Sequence, residues 1–189
     1  MSRSITETDS LFFNSGGKLP TKDDHLWLIV SGVVKSYTVT EEGSLVILGF
    51  WGADDLIGKP LSNINPYTLE CIGSVQVIAV PRQQWQGFAD NLLHHAQQSQ
   101  HMSYIVRNTK IARRLWLLLE WLAEKFGKAI AQGRLIDFKL THQELANAIS
   151  TTRITVTKTL RQFEIEGLIL RPRTKCIVLR SKNSEGWKT

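Results

Sequence analysis

Between Leu26 and Val80 the chain is written in short apolar or alternating runs, at 26–30, 33–39, 45–50 and 75–80. Turn chemistry separates them, at Ser31-Gly32, Glu41-Glu42-Gly43, Gly52-Ala53-Asp54 and Asn63-Ile64-Asn65-Pro66, and Pro81 closes the last. Short, evenly spaced runs of this kind predict a β sandwich or barrel over residues 11–80. After Arg82 the period becomes helical. Residues 88–108 predict one helix, rich in Gln and His. Ile111, Leu115, Leu118, Leu119, Leu122 and Phe126 then form one apolar face of a second helix, which stops at Gly127. A loop through Gly133 and a short strand at 135–140 lead into the last part of the chain. The organisation predicted is α+β, with a β domain plus long helix at 1–108 and a second domain at 109–189.

The most informative pattern is THQELANAISTTRITVTKTL, residues 141–160. Thr141 and Glu144 make a T-x-x-E capping box, which satisfies free N–H groups at a helix start. Leu145, Ala148 and Ile149 give one apolar face, and Ala146 is small where a second helix would cross closely. Ser150 and Thr151 make the break, and Thr152 caps the second helix. Val156, Leu160 and Phe163 form its buried stripe, whereas Arg153, Thr157, Lys158 and Arg161 lie opposite. Gly167 stands where a C-cap glycine belongs. Two β-prone runs, 168–170 and 176–179, flank the basic turn RPRTK at 171–175. This is the layout of a winged helix-turn-helix, whose second helix lies in the major groove of double-stranded DNA.

Roles follow from position. Arg153 opens the second helix, where a guanidinium can donate two hydrogen bonds to guanine O6 and N7. Lys158, one turn on, reaches a base or a phosphate. Thr141, Thr152, Thr155 and Thr157 offer hydroxyls to the DNA backbone. His142 and Gln143 at the start of the first helix, and Arg173 and Lys175 in the wing turn, are placed for the same contacts. Such contacts fix register and supply salt-dependent affinity.

Composition agrees with a polyanionic partner. The 189 residues carry a net charge of +6, and nearly all of the excess lies beyond residue 133. Two cysteines, Cys71 and Cys176, are too few for a disulfide framework or a four-thiolate cluster, and each reads as a reduced, buried small residue. No apolar run is long enough to span a membrane and MSRSITETDS lacks a signal peptide's apolar segment, so a cytoplasmic protein is expected. Nothing points to an enzyme. A cupin-type catalyst needs clustered His and Glu on strands, and the β region offers only His25. No metal site or cofactor is expected. A sensing or scaffold protein whose helix-turn-helix serves protein contact remains the alternative, but it leaves the basic excess unexplained.

A barrel, a long helix and a winged helix-turn-helix, in that order, resemble the CRP/FNR superfamily of bacterial transcription regulators. The resemblance rests on LWLIVSGVVKSYTVTEEG (26–43), on DLIG (55–58) against the family's G-D-x-I-G turn, on ARRLWLLLEWLA (112–123), and most specifically on residues 140–179. It implies a jelly-roll sensor barrel, a homodimer joined along the long helix, with an a/d-like row Leu92, Ala96, Ser99, Ser103 and Val106, and RNA polymerase as a further partner. It also implies an effector pocket around Gly58, Lys59, Asn65 and Tyr67, for an effector that the sequence does not identify. Cyclic-nucleotide-binding members hold the ribose with a Glu after the turn glycine and the phosphate with an Arg-Ser pair. Here Lys59 and Asn65-Pro66 stand at those places, so no response to cyclic AMP is expected. Ile154 replaces the acidic residue that cyclic-AMP-type members aim at cytosine, and it fits a thymine methyl instead. An iron–sulfur sensor would need four cysteines. His94, His95 and His101, on a polar helix, read as solvated side chains and not as haem ligands. The recognition helix is most similar to the nitrogen-control branch, with its S-T-R-x-T-V-T-[RK] run. That branch senses 2-oxoglutarate through an arginine where this chain has Asn65.

Overall fold

The computed structural model describes residues 10–172 and 176–180. The chain divides into two compact units between Met102 and Ser103. That point lies inside the long helix α1 (Ala89–Arg107), ahead of the 108/109 division expected from the pattern.

The first unit holds strands β1 (Ser10–Phe13), β2 (Lys18–Leu19), β3 (His25–Val39), β4 (Leu45–Trp51), β5 (Leu56–Ile57) and β6 (Thr68–Pro81). They run antiparallel in the order β1-β6-β3-β4, with β2 added to β6 and β5 to β3. One expectation is corrected here: Ser31-Gly32 is not a turn. β3 runs unbroken for 15 residues against the 14 of β6, and the register shifts on both sides of Ser31. Gly32 has φ 91°, and a Cβ there would stand 2.4 Å from the Ser74 carbonyl oxygen. Glycine therefore permits a bulge that bends the strand while pairing resumes beyond it. Trp27, Ile29, Val34, Trp51, Leu69 and Val77 meet inside as one buried cluster.

The turn at Arg82–Phe88 and the first part of α1 dock on this barrel. Trp85, Phe88 and Leu92 pack against Leu26, Leu56 and Val80. Asp55, 2% exposed, accepts the Gly52 N–H at 2.6 Å and the Gln98 side-chain N–H at 2.6 Å. His94 Nδ1 lies 3.5 Å from the same carboxylate. The Asn91 amide donates to the Asp54 carbonyl at 2.7 Å, and the His95 ring stacks on Trp51 at 4.3 Å. So His95 is a packing residue, contrary to the expectation of a solvated one, because an indole and the Leu56 carbonyl (3.1 Å) occupy its face and its Nδ1. The row Leu92, Ala96, Ser99, Ser103 and Val106 is unevenly exposed. Leu92 packs on the barrel, whereas Ala96 and Ser103 are exposed. The exposed large apolar residues of α1 are Leu93 and Tyr104.

The second unit contains α2 (Ile111–Phe126), β7 (Gly127–Ile130), β8 (Gly133–Ile136), α3 (His142–Ala148), α4 (Arg153–Ile165), β9 (Ile169–Leu170) and β10 (Ile177–Arg180). Leu115, Leu118, Leu119 and Leu122 are fully buried, and Trp116 meets Phe163 of α4 edge to face at 5.6 Å. The strands form one sheet in the order β7-β8-β10-β9. Strand β7 was not expected, since Lys128, Ala129 and Ile130 are exposed and show no alternation. The strand expected at 135–140 ends at Ile136, and Leu140 is buried outside it. Among the described residues, no helix is long and apolar enough to cross a membrane.

Candidate nucleic-acid interface

The helix-turn-helix forms as its sequence dictates. The Thr141 hydroxyl accepts the Glu144 N–H at 3.1 Å, and the Glu144 carboxylate accepts the Thr141 N–H at 2.8 Å, completing the capping box. Helix α3 ends at Ile149, and Ser150 turns the chain with φ 54°. The Thr151 N–H returns to the Ala146 carbonyl at 3.0 Å, which closes the turn. Thr152 then caps α4, its hydroxyl accepting the Thr155 N–H at 3.2 Å. Leu145, Ala146 and Ile149 of the first helix and Val156, Leu160 and Phe163 of the second are buried together. Gly167, at φ 68°, follows the end of α4, and its N–H donates to the Glu164 carbonyl at 3.0 Å.

Burying that stripe turns the opposite face outward. Arg153, Ile154, Thr157, Lys158 and Arg161 are exposed. Ile154 is 67% exposed, which leaves a β-branched apolar group in water on the same face as three cations. A contact surface that displaces water would recover that cost, and a thymine methyl is one apolar group found in a DNA groove.

The residues expected at the DNA backbone make local hydrogen bonds. Gln143 is exposed and donates to Asn147 at 2.8 Å. His142 Nδ1 lies 2.8 Å from the Thr157 hydroxyl, and that hydroxyl donates to the Arg153 carbonyl at 2.8 Å. With its proton so committed, Thr157 accepts from His142, so Nδ1 carries hydrogen and Nε2 is free to accept. Arg171 Nη1 stands 3.4 Å from Nε2. Desolvation holds the imidazole below the ordinary histidine value, and the Arg171 and Arg153 cations push the same way. Arg171 is also ion-paired with Glu164, which keeps the Glu164 carboxyl below the usual carboxylate range. Arg171, the first residue of the basic turn, therefore turns in from the root of the wing. No spacing rule links Glu164, Arg171 and His142, so their meeting was not legible in advance. Arg173 and Lys175 lie outside the described residues.

The four residues expected around an effector pocket differ in exposure: Gly58 and Tyr67 are buried, Lys59 is half-buried and Asn65 is exposed. Gly58 is buried, and a Cβ there would meet the Leu26 side chain at 2.8 Å. The Lys59 ammonium donates to the Ser62 and Ile64 carbonyls at 3.0 and 3.1 Å, so it clamps its own loop. Asn65 is exposed on that loop. Tyr67 instead points into the barrel core, where burial pushes its phenol up to about 12 against the opposing effect of a Ser36 hydrogen bond. Cys71, in the same core, is pushed up to about 11 by burial, which disfavours the thiolate. Among the described residues, no group of His, Cys, Asp or Glu could hold a metal ion.

Comparison with known proteins matches each unit to a family. Residues 20–92 match the cyclic nucleotide-binding domain, and residues 109–183 match the Crp-like helix-turn-helix domain. The regulatory protein CysR of Synechococcus elongatus is 37% identical over 173 residues, covering 90% of this chain and 83% of that protein. The fumarate and nitrate reduction regulatory protein of Escherichia coli is 24% identical over 170 residues, covering 83% of this chain and 66% of its own length. Among solved structures, a CRP-family transcriptional regulator from Thermus thermophilus matches with a TM-score of 0.77 at 20% identity, over 90% of this chain and 92% of that one. FixK2 from Bradyrhizobium japonicum gives a TM-score of 0.75 at 17% identity, over 91% and 92%. With a jelly-roll cyclic nucleotide-binding domain, a helix-turn-helix that exposes a basic face, and a relative of this identity over nearly its whole length, the chain belongs to the CRP/FNR family of DNA-binding transcription regulators.

Proposed function

We propose that this chain works in the cytoplasm as a homodimer on a palindromic DNA site, in concert with RNA polymerase. The exposed face of α4 carries this reading. Arg153, Ile154 and Lys158 read bases. Thr141, His142, Gln143, Thr152, Thr155 and Thr157, with Arg173 and Lys175 of the wing turn, hold the phosphates. Two recognition helices related by a dyad would address half-sites about 34–36 Å apart. The run from Ser150 to Lys158 supports a recognition helix nearest the nitrogen-control branch.

Dimerisation is assigned to α1, along the face that carries Leu93 and Tyr104, 60% and 54% exposed. The face on Asp55 and Trp51 is already used by the barrel.

Cyclic AMP is not the effector in this reading. The place of the ribose carboxylate holds Lys59, whose ammonium is spent on loop carbonyls, and Asn65-Pro66 supplies neither a guanidinium nor a hydroxyl for a cyclic phosphate.

The test is a mobility-shift titration of the whole chain on a site recovered from random DNA, over a salt series. Specific binding should exceed binding to random sequence by at least about a thousandfold, and its logarithm should fall linearly with the logarithm of salt. Equal affinity for all sequences would remove the base-reading assignment.

A further inference from the structure

We infer that Arg114 is a positioning residue that ties the end of the long helix to the turn of the helix-turn-helix, so that the last turn of α1 sets the pose of the recognition helix. The inference rests on the DNA-binding reading above and adds how that reading is controlled. Arg114 lies in the first turn of α2 and is half-buried. Its Nε donates to the Asn108 carbonyl at 2.5 Å and its Nη1 to the Ile149 carbonyl at 3.2 Å.

Both acceptors are helix-terminal. Asn108 follows the last residue of α1 and closes it: its N–H donates to the Ile105 carbonyl at 3.2 Å, and its side chain donates to the Tyr104 carbonyl at 2.8 Å. Ile149 is the C-cap of α3, fully buried, immediately before the reversal at Ser150. Carbonyls at helix C-termini have no intrahelical donor and concentrate partial negative charge. One planar guanidinium answers both at once from fixed fork positions. A lysine ammonium is a single point on a flexible stem. A shift of the α1 terminus therefore pulls on the same rigid group that holds the turn ahead of Thr152, the cap of α4.

The test compares the whole chain with Asn108→Ala, Arg114→Met, Arg114→Lys and the Asn108→Ala/Arg114→Met pair. Amide hydrogen exchange at Ser150 and Thr151 is read in the free protein, and affinity for the selected DNA site is read separately. Asn108→Ala leaves the carbonyl in place but removes the side chain that holds it. It should speed exchange at the distant turn and weaken specific binding roughly tenfold, a coupling of ordinary size. In the Arg114→Met background the same change should do nothing further at the turn. Arg114→Lys should fall between wild type and Arg114→Met. Unchanged exchange at Ser150 and Thr151 in Asn108→Ala, or effects of the two substitutions that simply multiply, would overturn the assignment. Exchange is measured without DNA, so a chain that bound no DNA would fail the functional reading while the exchange arm still decided the strap.

Discussion

In the proposed interface, Arg153 reads a base and His142 holds the DNA backbone. Arg153 projects from the first turn of α4 and is exposed, with its carbonyl held by Thr157. Arg153→Ala should cost about 1–3 kcal/mol on the best site and relax preference at one base pair, whereas loss of a phosphate contact such as Gln143→Ala should weaken all sequences alike. Titration on single-base variants of the site separates the two. His142 carries a pH prediction. Its folded value lies below the ordinary 6.5, so the unfolded chain takes up a proton first as pH falls. The stability contributed by neutral His142 is whole above about 6.5 and is lost as pH drops from there through the depressed folded value. Melting temperatures of wild type and His142→Asn should therefore converge toward acid pH and separate above neutrality. A difference that stays constant from pH 5 to pH 8 would show that His142 is not linked. The exposed face of α4 was legible because helical spacing alone decides which side of the helix is buried. The His142–Thr157–Arg171–Glu164 chain was not, since it depends on where the wing root returns in space.

At the scale of elements, local signals decide the outcome wherever they are chemically specific. The capping box at Thr141 and the cap at Thr152 each satisfy a backbone donor that would otherwise be orphaned. Replacing either by Ala should lower the stability of the second unit by about 1 kcal/mol, measured by denaturant midpoint at unchanged slope. Signals that only count apolar residues do less well. Ser31-Gly32 has the composition of a turn, yet the same glycine also serves a bulge, and only the long partner strand β6 selects the second use. The Gln/His surface of α1 looks solvated in isolation. It becomes a docking face because Asp55, buried after a tight turn, and Trp51 supply polar and aromatic partners from residues about 40 positions earlier. Polar interfaces of this kind leave no periodic trace.

For the whole molecule, the division of labour follows from what each unit leaves exposed. Tyr67, expected beside an effector pocket, belongs to the buried cluster of the barrel. The helix-turn-helix unit exposes a basic face with an isoleucine in its midst. α1 exposes Leu93 and Tyr104. Leu93→Asp with Tyr104→Asp should yield monomer in sedimentation at micromolar concentration, because a buried seam does not tolerate unpaired carboxylates. A double variant that stays dimeric would move the interface off this face. The central claim is that two copies of α4 read a palindrome, and selection of bound sequences from random DNA tests it most directly. The expected consensus has dyad symmetry, half-site centres one helical turn apart and a guanine in each half that is lost from the consensus selected by Arg153→Ala. A consensus without symmetry, or one that Arg153→Ala leaves unchanged, would contradict it.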